Sequence, residues 1–160
     1  MLSALALMLC AGCPGQGQMP GKTPPPPSSR IDKIVVQSAP TAVNWDQRPG
    51  PDGLVVSVHL FNDSSDLPVL GKGTMEFKLY EGTLGEGQLA EAKPLMEWRY
   101  SGSLLANCVF RSPIGWGYGM QLGWGSNAPK TESVTLTATY APPTGPAIAA
   151  KPIVIPVGAS

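Results

Sequence analysis

Leu54-Val55-Val56-Ser57-Val58-His59-Leu60-Phe61 is the stretch that decides the fold. Leu54, Val56, Val58 and Leu60 recur at every second position, so an extended chain turns them to one face and Val55, Ser57, His59 and Phe61 to the other. A helix would scatter the same side chains around its circumference, and the β-branched valines agree with a pleated surface. The stretch reads as a half-buried strand whose first set faces a core.

The same period returns along the chain. Thr74 to Glu81 places Met75, Phe77 and Leu79 inward against Thr74, Glu76, Lys78 and Tyr80 outward. Leu95 to Ser101 sets Met96, Trp98 and Tyr100 opposite Glu97 and Arg99. Glu132 to Tyr140 sets Val134, Leu136, Ala138 and Tyr140 opposite Ser133, Thr135, Thr137 and Thr139, a threonine row suited to a solvent-facing sheet. Shorter candidates are Ile31 to Gln37, Leu105 to Arg111, Tyr118 to Trp124 and Ile153 to Val157. Turn residues separate them, among them Arg48-Pro49-Gly50-Pro51-Asp52-Gly53, Asn62-Asp63-Ser64-Ser65-Asp66 and Pro142-Pro143-Thr144-Gly145-Pro146. The expectation is an all-β domain over residues 31 to 160, an immunoglobulin-like antiparallel β-sandwich of seven to eight strands. The last strand, between Pro152 and Pro156, belongs at a sheet edge, because proline donates nothing to a ladder. Gly85 to Lys93 is expected to make a helical turn or two before Pro94.

Composition agrees. Of 160 residues, 19 are glycine and 18 proline, a content that penalises helix interiors. Eleven basic and eleven acidic residues cancel, and charged residues are only 14% of the chain, so no basic field for nucleic acid is expected. The outward strand positions carry Glu, Lys, Arg and His rather than lipid-compatible residues, which excludes a membrane barrel.

Ahead of the domain, Leu2-Ser3-Ala4-Leu5-Ala6-Leu7-Met8-Leu9 forms an apolar run too short to span a bilayer, leading into Cys10-Ala11-Gly12-Cys13 and then Pro14-Gly15. The run is similar to the h-region of a secretory signal, and Ala11-Gly12-Cys13 resembles the lipobox of bacterial lipoproteins. With the strand pattern, the general resemblance is to bacterial lipoproteins carrying immunoglobulin-like or fibronectin-like modules. It implies a signal peptide over 1 to 12, lipid attachment at Cys13 with fatty acyl chains such as palmitate, and a domain outside the cytoplasm. The chain would then be anchored to the inner or outer membrane of a bacterial envelope, which more than one acyl chain holds stably. Residues 13 to 30, with Pro24-Pro25-Pro26-Pro27, read as the lipidated cysteine and an extended Pro/Gly-rich tether.

Candidate chemistry is sparse. Once Cys10 leaves with the leader and Cys13 is acylated, Cys108 alone remains, in an apolar segment where it is expected to be a small buried hydrophobe. His59 is the sole histidine and lacks metal-ligand company, so no metal or other cofactor is expected. The Asn62 to Asp66 loop has oxygens that calcium accepts but not the EF-hand spacing, and reads as a solvated turn. Asp46 and Asp52, flanking Arg48, read as polar loop residues. No nucleophile elbow or phosphate-cradling glycine loop is present, and no enzyme is expected.

The most distinctive stretch is Gly115-Trp116-Gly117-Tyr118-Gly119, where alternate glycines leave one strand face bare for an aromatic ring or another backbone. Trp116, Tyr118 and Trp124 are candidate ligand-binding aromatics for sugar rings or a partner peptide. Against this, Tyr118, Met120, Leu122 and Trp124 form the inward set of a core strand, which leaves Trp116 as the exposed one. The functional expectation is a non-catalytic sandwich that binds another envelope protein; the alternative is a module for envelope polysaccharide.

Overall fold

A computed structural model describes residues 23 to 158; the leader, Cys13 and the first part of the tether lie outside the described residues. The described chain forms β1 (Lys33–Ser38), β2 (Gly53–Phe61), β3 (Thr74–Glu81), α1 (Glu86–Leu89) and β4 (Met96–Tyr100), then α2 (Gly102–Ala106), β5 (Val109–Ser112), β6 (Gly115–Gly123), β7 (Ser133–Ala141), β8 (Ile148–Ala149) and β9 (Ile153–Pro156).

All pairings between these strands are antiparallel and fall into two sheets, one in the order β1-β2-β6-β5 and one in the order β4-β3-β7, with β8 and β9 both on the far side of β7. The first order is the A-B-E-D sheet of the immunoglobulin-like sandwich, and β3, β7 and β8/β9 take the C, F and G places beside it. β4 is an added edge strand next to β3.

β8 and β9 are one interrupted edge strand. Thr139 pairs with Ala149 but Leu136 pairs with Ile153, so one extra residue is accommodated between them around Lys151 and Pro152. The flanking prolines and the bulge leave a short, broken edge that resists pairing with another chain.

The alternating sets meet between the sheets. Leu54, Val56, Val58 and Leu60 face Met75, Phe77, Leu79, Val134, Leu136 and Tyr140 in one buried core, to which β6 adds Tyr118, Met120 and Leu122 and the residue after it, Trp124. Two tyrosines tie this core to the β2–β3 connection. The Tyr118 hydroxyl accepts from the Gly71 N–H and donates to the Gly71 carbonyl, each at 2.9 Å, and the Tyr140 hydroxyl accepts from the Gly73 N–H at 2.9 Å. A Cβ on Gly71 would fall 2.2 Å from that Tyr140 hydroxyl, so glycine is what lets the phenol approach.

Several expectations are corrected. Tyr80 and Thr135 face outward by alternation yet are buried, because the chain after β3 folds back over this face. The Thr135 hydroxyl donates to the Gly82 carbonyl at 2.7 Å and accepts from the Leu84 N–H at 3.0 Å. The apolar run beginning at Leu105 is not one strand: Gly102–Ala106 is a helical turn that buries Leu105, and β5 starts only at Val109. β6 starts at Gly115, three residues before the segment expected from Tyr118, since glycine's missing side chain concealed the alternation. α1 is the expected single turn. At the front of the domain, Ser28 already pairs with Gly71, so three residues of the tether sequence run alongside the sandwich.

Candidate functional site

The two outer faces of the sandwich differ in chemistry. On the β4-β3-β7 sheet, Arg99 pairs with Glu76 at 3.1 Å and Lys78 with Glu97 at 3.7 Å across strands, beside Thr137 and Thr139. Such exposed pairs add little stability, but they keep that face hydrated. The outer face of the β1-β2-β6-β5 sheet is instead small and nearly uncharged. Register places Gln37, Ser57 and Gly119 side by side, then Val35, His59, Gly117 and Phe110, with Gln121 next to Val55.

The bare side of β6 is occupied position by position. Pro68 covers Gly115, where a Cβ would lie 2.7 Å from the proline Cγ. The His59 imidazole lies on Gly117, where a Cβ would fall 2.8 Å from its Cδ2. Gly119 stays open and lines the floor of a trough of about 900 Å³ that crosses the sheet. Gln37, Ser38 and Ala39 border it at the β1 end, Val55, Ser57 and Gln121 along its length, and Phe110, Cys108 and Tyr100 at the β5 end. Among the described residues no charged side chain lines it.

Beyond Cys108 the chain leaves β6 for α2, and side chains from β4 cover the vacated edge. The Trp98 Nε1–H donates to the Gly123 carbonyl at 3.2 Å and the Tyr100 hydroxyl approaches the Gln121 carbonyl at 3.5 Å. Cys108 is therefore half-buried in the trough wall rather than part of the core, a correction to the sequence reading. Its thiol donates to the Leu104 carbonyl at 3.2 Å, and burial raises its pKa, which leaves it a protonated, weakly nucleophilic group.

His59 does not line the trough but packs against Phe110, which does. Only 2% of His59 is exposed although alternation turns it outward, because Phe110 meets it edge-on at 5.9 Å between ring centres. Its Nε2 lies 3.1 Å from the Ser112 hydroxyl, which in turn lies 3.0 Å from the Gly115 carbonyl. The hydroxyl has one hydrogen and gives it to the carbonyl, so Nε2–H is the donor to serine. In that arrangement the imidazole takes no proton from the hydroxyl, and the pair works as a clamp from β2 to the β5–β6 turn rather than as a base and nucleophile. Burial lowers the histidine pKa.

The expected aromatic platform is not assembled. Tyr118 and Trp124 are 2% and 1% exposed within the core, and the Trp124 indole N–H donates to the Pro51 carbonyl at 2.8 Å. Trp116 is half-buried on the core-facing side of β6, with the Arg111 guanidinium 6.0 Å from its ring. Besides the half-buried Phe61 and Phe110, the outer face carries the more exposed Trp45, 39% exposed, its ring against Gly53 and Gly123. It stands in a loop without periodicity, where alternation gives no signal. That loop is built by the residues read as merely polar: one Asp52 carboxylate oxygen accepts from the Trp45 and Asp46 N–H groups at 2.7 and 3.0 Å, and Asn44 bonds the Arg48 and Gly50 carbonyls. The glycine pair Gly53 and Gly123, facing each other across strands, was the available signal.

Asn62 to Asp66 is the expected turn: the Asn62 side chain accepts from the Ser64 N–H and Asp63 pairs with Arg30. Among the described residues no three His, Cys, Asp or Glu side chains cluster as metal ligands, and no helix is long and apolar enough to cross a membrane. Compared with known proteins, the chain matches no family model, no curated protein and no solved structure.

Proposed function

We propose that this chain is a bacterial cell-envelope lipoprotein, anchored through lipid on Cys13, whose sandwich binds another envelope protein without catalysing a reaction. The address rests on the apolar leader, the Ala11-Gly12-Cys13 sequence and the proline-rich spacer. The observation that carries the binding role is the uncharged trough over Gly119, bordered by Val55, Phe110 and Tyr100 with Gln37, Ser57 and Gln121 as hydrogen-bonding groups. Apolar walls with a few convergent polar groups suit a neutral segment of a partner chain. A photoreactive residue at Gln121 tests it in living cells, with one at Glu97, on the charged face, as the control. A discrete protein adduct from position 121 and none from 97 is expected; equal labelling from both would refute the trough.

The exposed Trp45 ring on the same sheet supports a second reading, a module that stacks a sugar ring of envelope polysaccharide. A saturable fluorescence shift with polysaccharide, lost in Trp45→Ala, is its signature. A shift that survives that substitution would rule out Trp45 as the platform.

A further inference from the structure

We infer that protonation of His59 releases β5 from the sheet edge and opens the Phe110 wall of the trough, so that the sandwich carries an acid-operated latch. As a statement about the trough's use this rests on the binding role above; the release of β5 itself needs no partner to be seen.

The geometry sets the latch. With Nε2–H committed to Ser112, the incoming proton goes to Nδ1, a fully buried atom with no hydrogen-bond partner among the described residues. An N–H bearing positive charge at that place would face neither an acceptor nor solvent, and a buried ion of this kind is expelled rather than accommodated. Among the described residues no neighbouring carboxylate offsets the charge. β1 presents Val35 opposite His59, with Lys33 two pairs along on the same face and over the Phe61 ring. β6 presents Gly117, and β5 presents Phe110 and Ser112, while Arg111 points to the other side over Trp116. The β2–β3 connection contributes Pro68; its Asp63 is paired with Arg30 and its Asp66 is exposed. Burial alone accounts for the lowered pKa.

What the imidazole would leave behind is the weakest strand of its sheet. β5 has four residues and one strand neighbour, β6. On this face its side chains are held by the Ser112–His59 hydrogen bond and the Phe110–His59 contact, and both go when the ring swings out. The core strands β3 and β7, each paired on both sides, have no part in it.

The chain holds one histidine, so its imidazole signal in a proton NMR titration needs no assignment. Amide exchange of the full chain is followed over the same pH range and corrected for intrinsic rates. The Phe110 and Gly117 amides should lose protection with the His59 midpoint, by up to about tenfold per pH unit below it, the limit for one linked proton, while β3 and β7 amides keep theirs. His59→Phe, neutral at every pH, keeps a ring against Phe110 but loses the Ser112 hydrogen bond, so its β5 protection should be lower yet independent of pH. Titration of His59 with β5 still protected would overturn the latch, as would β3 and β7 opening together with β5 or an unchanged acid response in His59→Phe. The wild-type titration decides the matter even if that variant does not fold. Repeating the position-121 cross-linking at both ends of the titration separates the two readings: β5 release without any adduct preserves the latch and removes the binding role.

Discussion

Replacing Gly117 by alanine probes the surface on which the candidate site is built. The new Cβ would sit 2.8 Å from the His59 Cδ2, 2.9 Å from its Nε2 and 2.8 Å from the Val58 carbonyl oxygen. The imidazole can move aside, but the carbonyl belongs to the β2–β6 ladder and cannot move without disturbing its pairing. Overpacking of this kind costs about 1–3 kcal/mol, and displacing the ring adds about 1 kcal/mol for the Ser112 hydrogen bond. The narrower unfolded ensemble of alanine returns roughly 0.4–1 kcal/mol. The net is a loss of about 1–3.5 kcal/mol, or roughly 5–15 °C in Tm for a domain of this size. Urea unfolding followed by tryptophan fluorescence measures it. Gly87, in α1 with open space around it, is the matched control: Gly87→Ala should be neutral or stabilising by up to about 1 kcal/mol. In a His59→Ala background the imidazole contacts are gone, so Gly117→Ala should cost less, with a coupling of about 0.5–3 kcal/mol. A Gly117→Ala chain as stable as the parent, or additive with His59→Ala, would refute the packing described for this face.

Stability should also depend on pH through His59. The folded-state pKa is lowered by burial, so the unfolded chain binds the proton more readily. The contribution is whole above the ordinary value of 6.5 and is lost as pH falls through the lower folded-state value; His59→Phe should remove this component from urea midpoints taken between neutral and mildly acid pH. Tyr118→Phe leaves both the N–H and the carbonyl of Gly71 without their partner and should cost about 2–3 kcal/mol, whereas Tyr140→Phe, with one bond lost, should cost about 1 kcal/mol; thermal unfolding gives both. Thr135→Val removes the hydroxyl that holds the Gly82 to Leu84 turn, and limited proteolysis should then cut near residue 83 faster than in the parent.

The β-sandwich was legible because its core strands are amphipathic at period two and its breaks are rich in glycine and proline. Val56, Phe77, Leu136 and their neighbours announce both a strand and a face, and the structure keeps those faces. What alternation does not report is whether the outer face stays exposed. His59, Tyr80 and Thr135 all point away from the core between the sheets, yet each is covered by chain arriving from elsewhere: Phe110 from β5 in one case, the turn after β3 in the others. Those coverings depend on tertiary folding and leave no local period. The candidate site was half legible. Alternate glycines in β6 signalled a close approach, and His59 and Pro68 make it. The aromatics singled out beside them lie in or against the core, since Trp116, Tyr118 and Trp124 share the parity of Met120 and Leu122. Trp45 and Cys108 gained their places from a loop and from the end of an edge strand, neither of which follows a repeat.

The address carries the functional account, and the intact mass of the protein extracted from membranes tests it most directly. The expected mass is that of a chain beginning at Cys13, heavier than residues 13 to 160 by a diacylglyceryl group and an amide-linked acyl chain. A mass equal to the unmodified chain with Met1 to Gly12 still attached would contradict it.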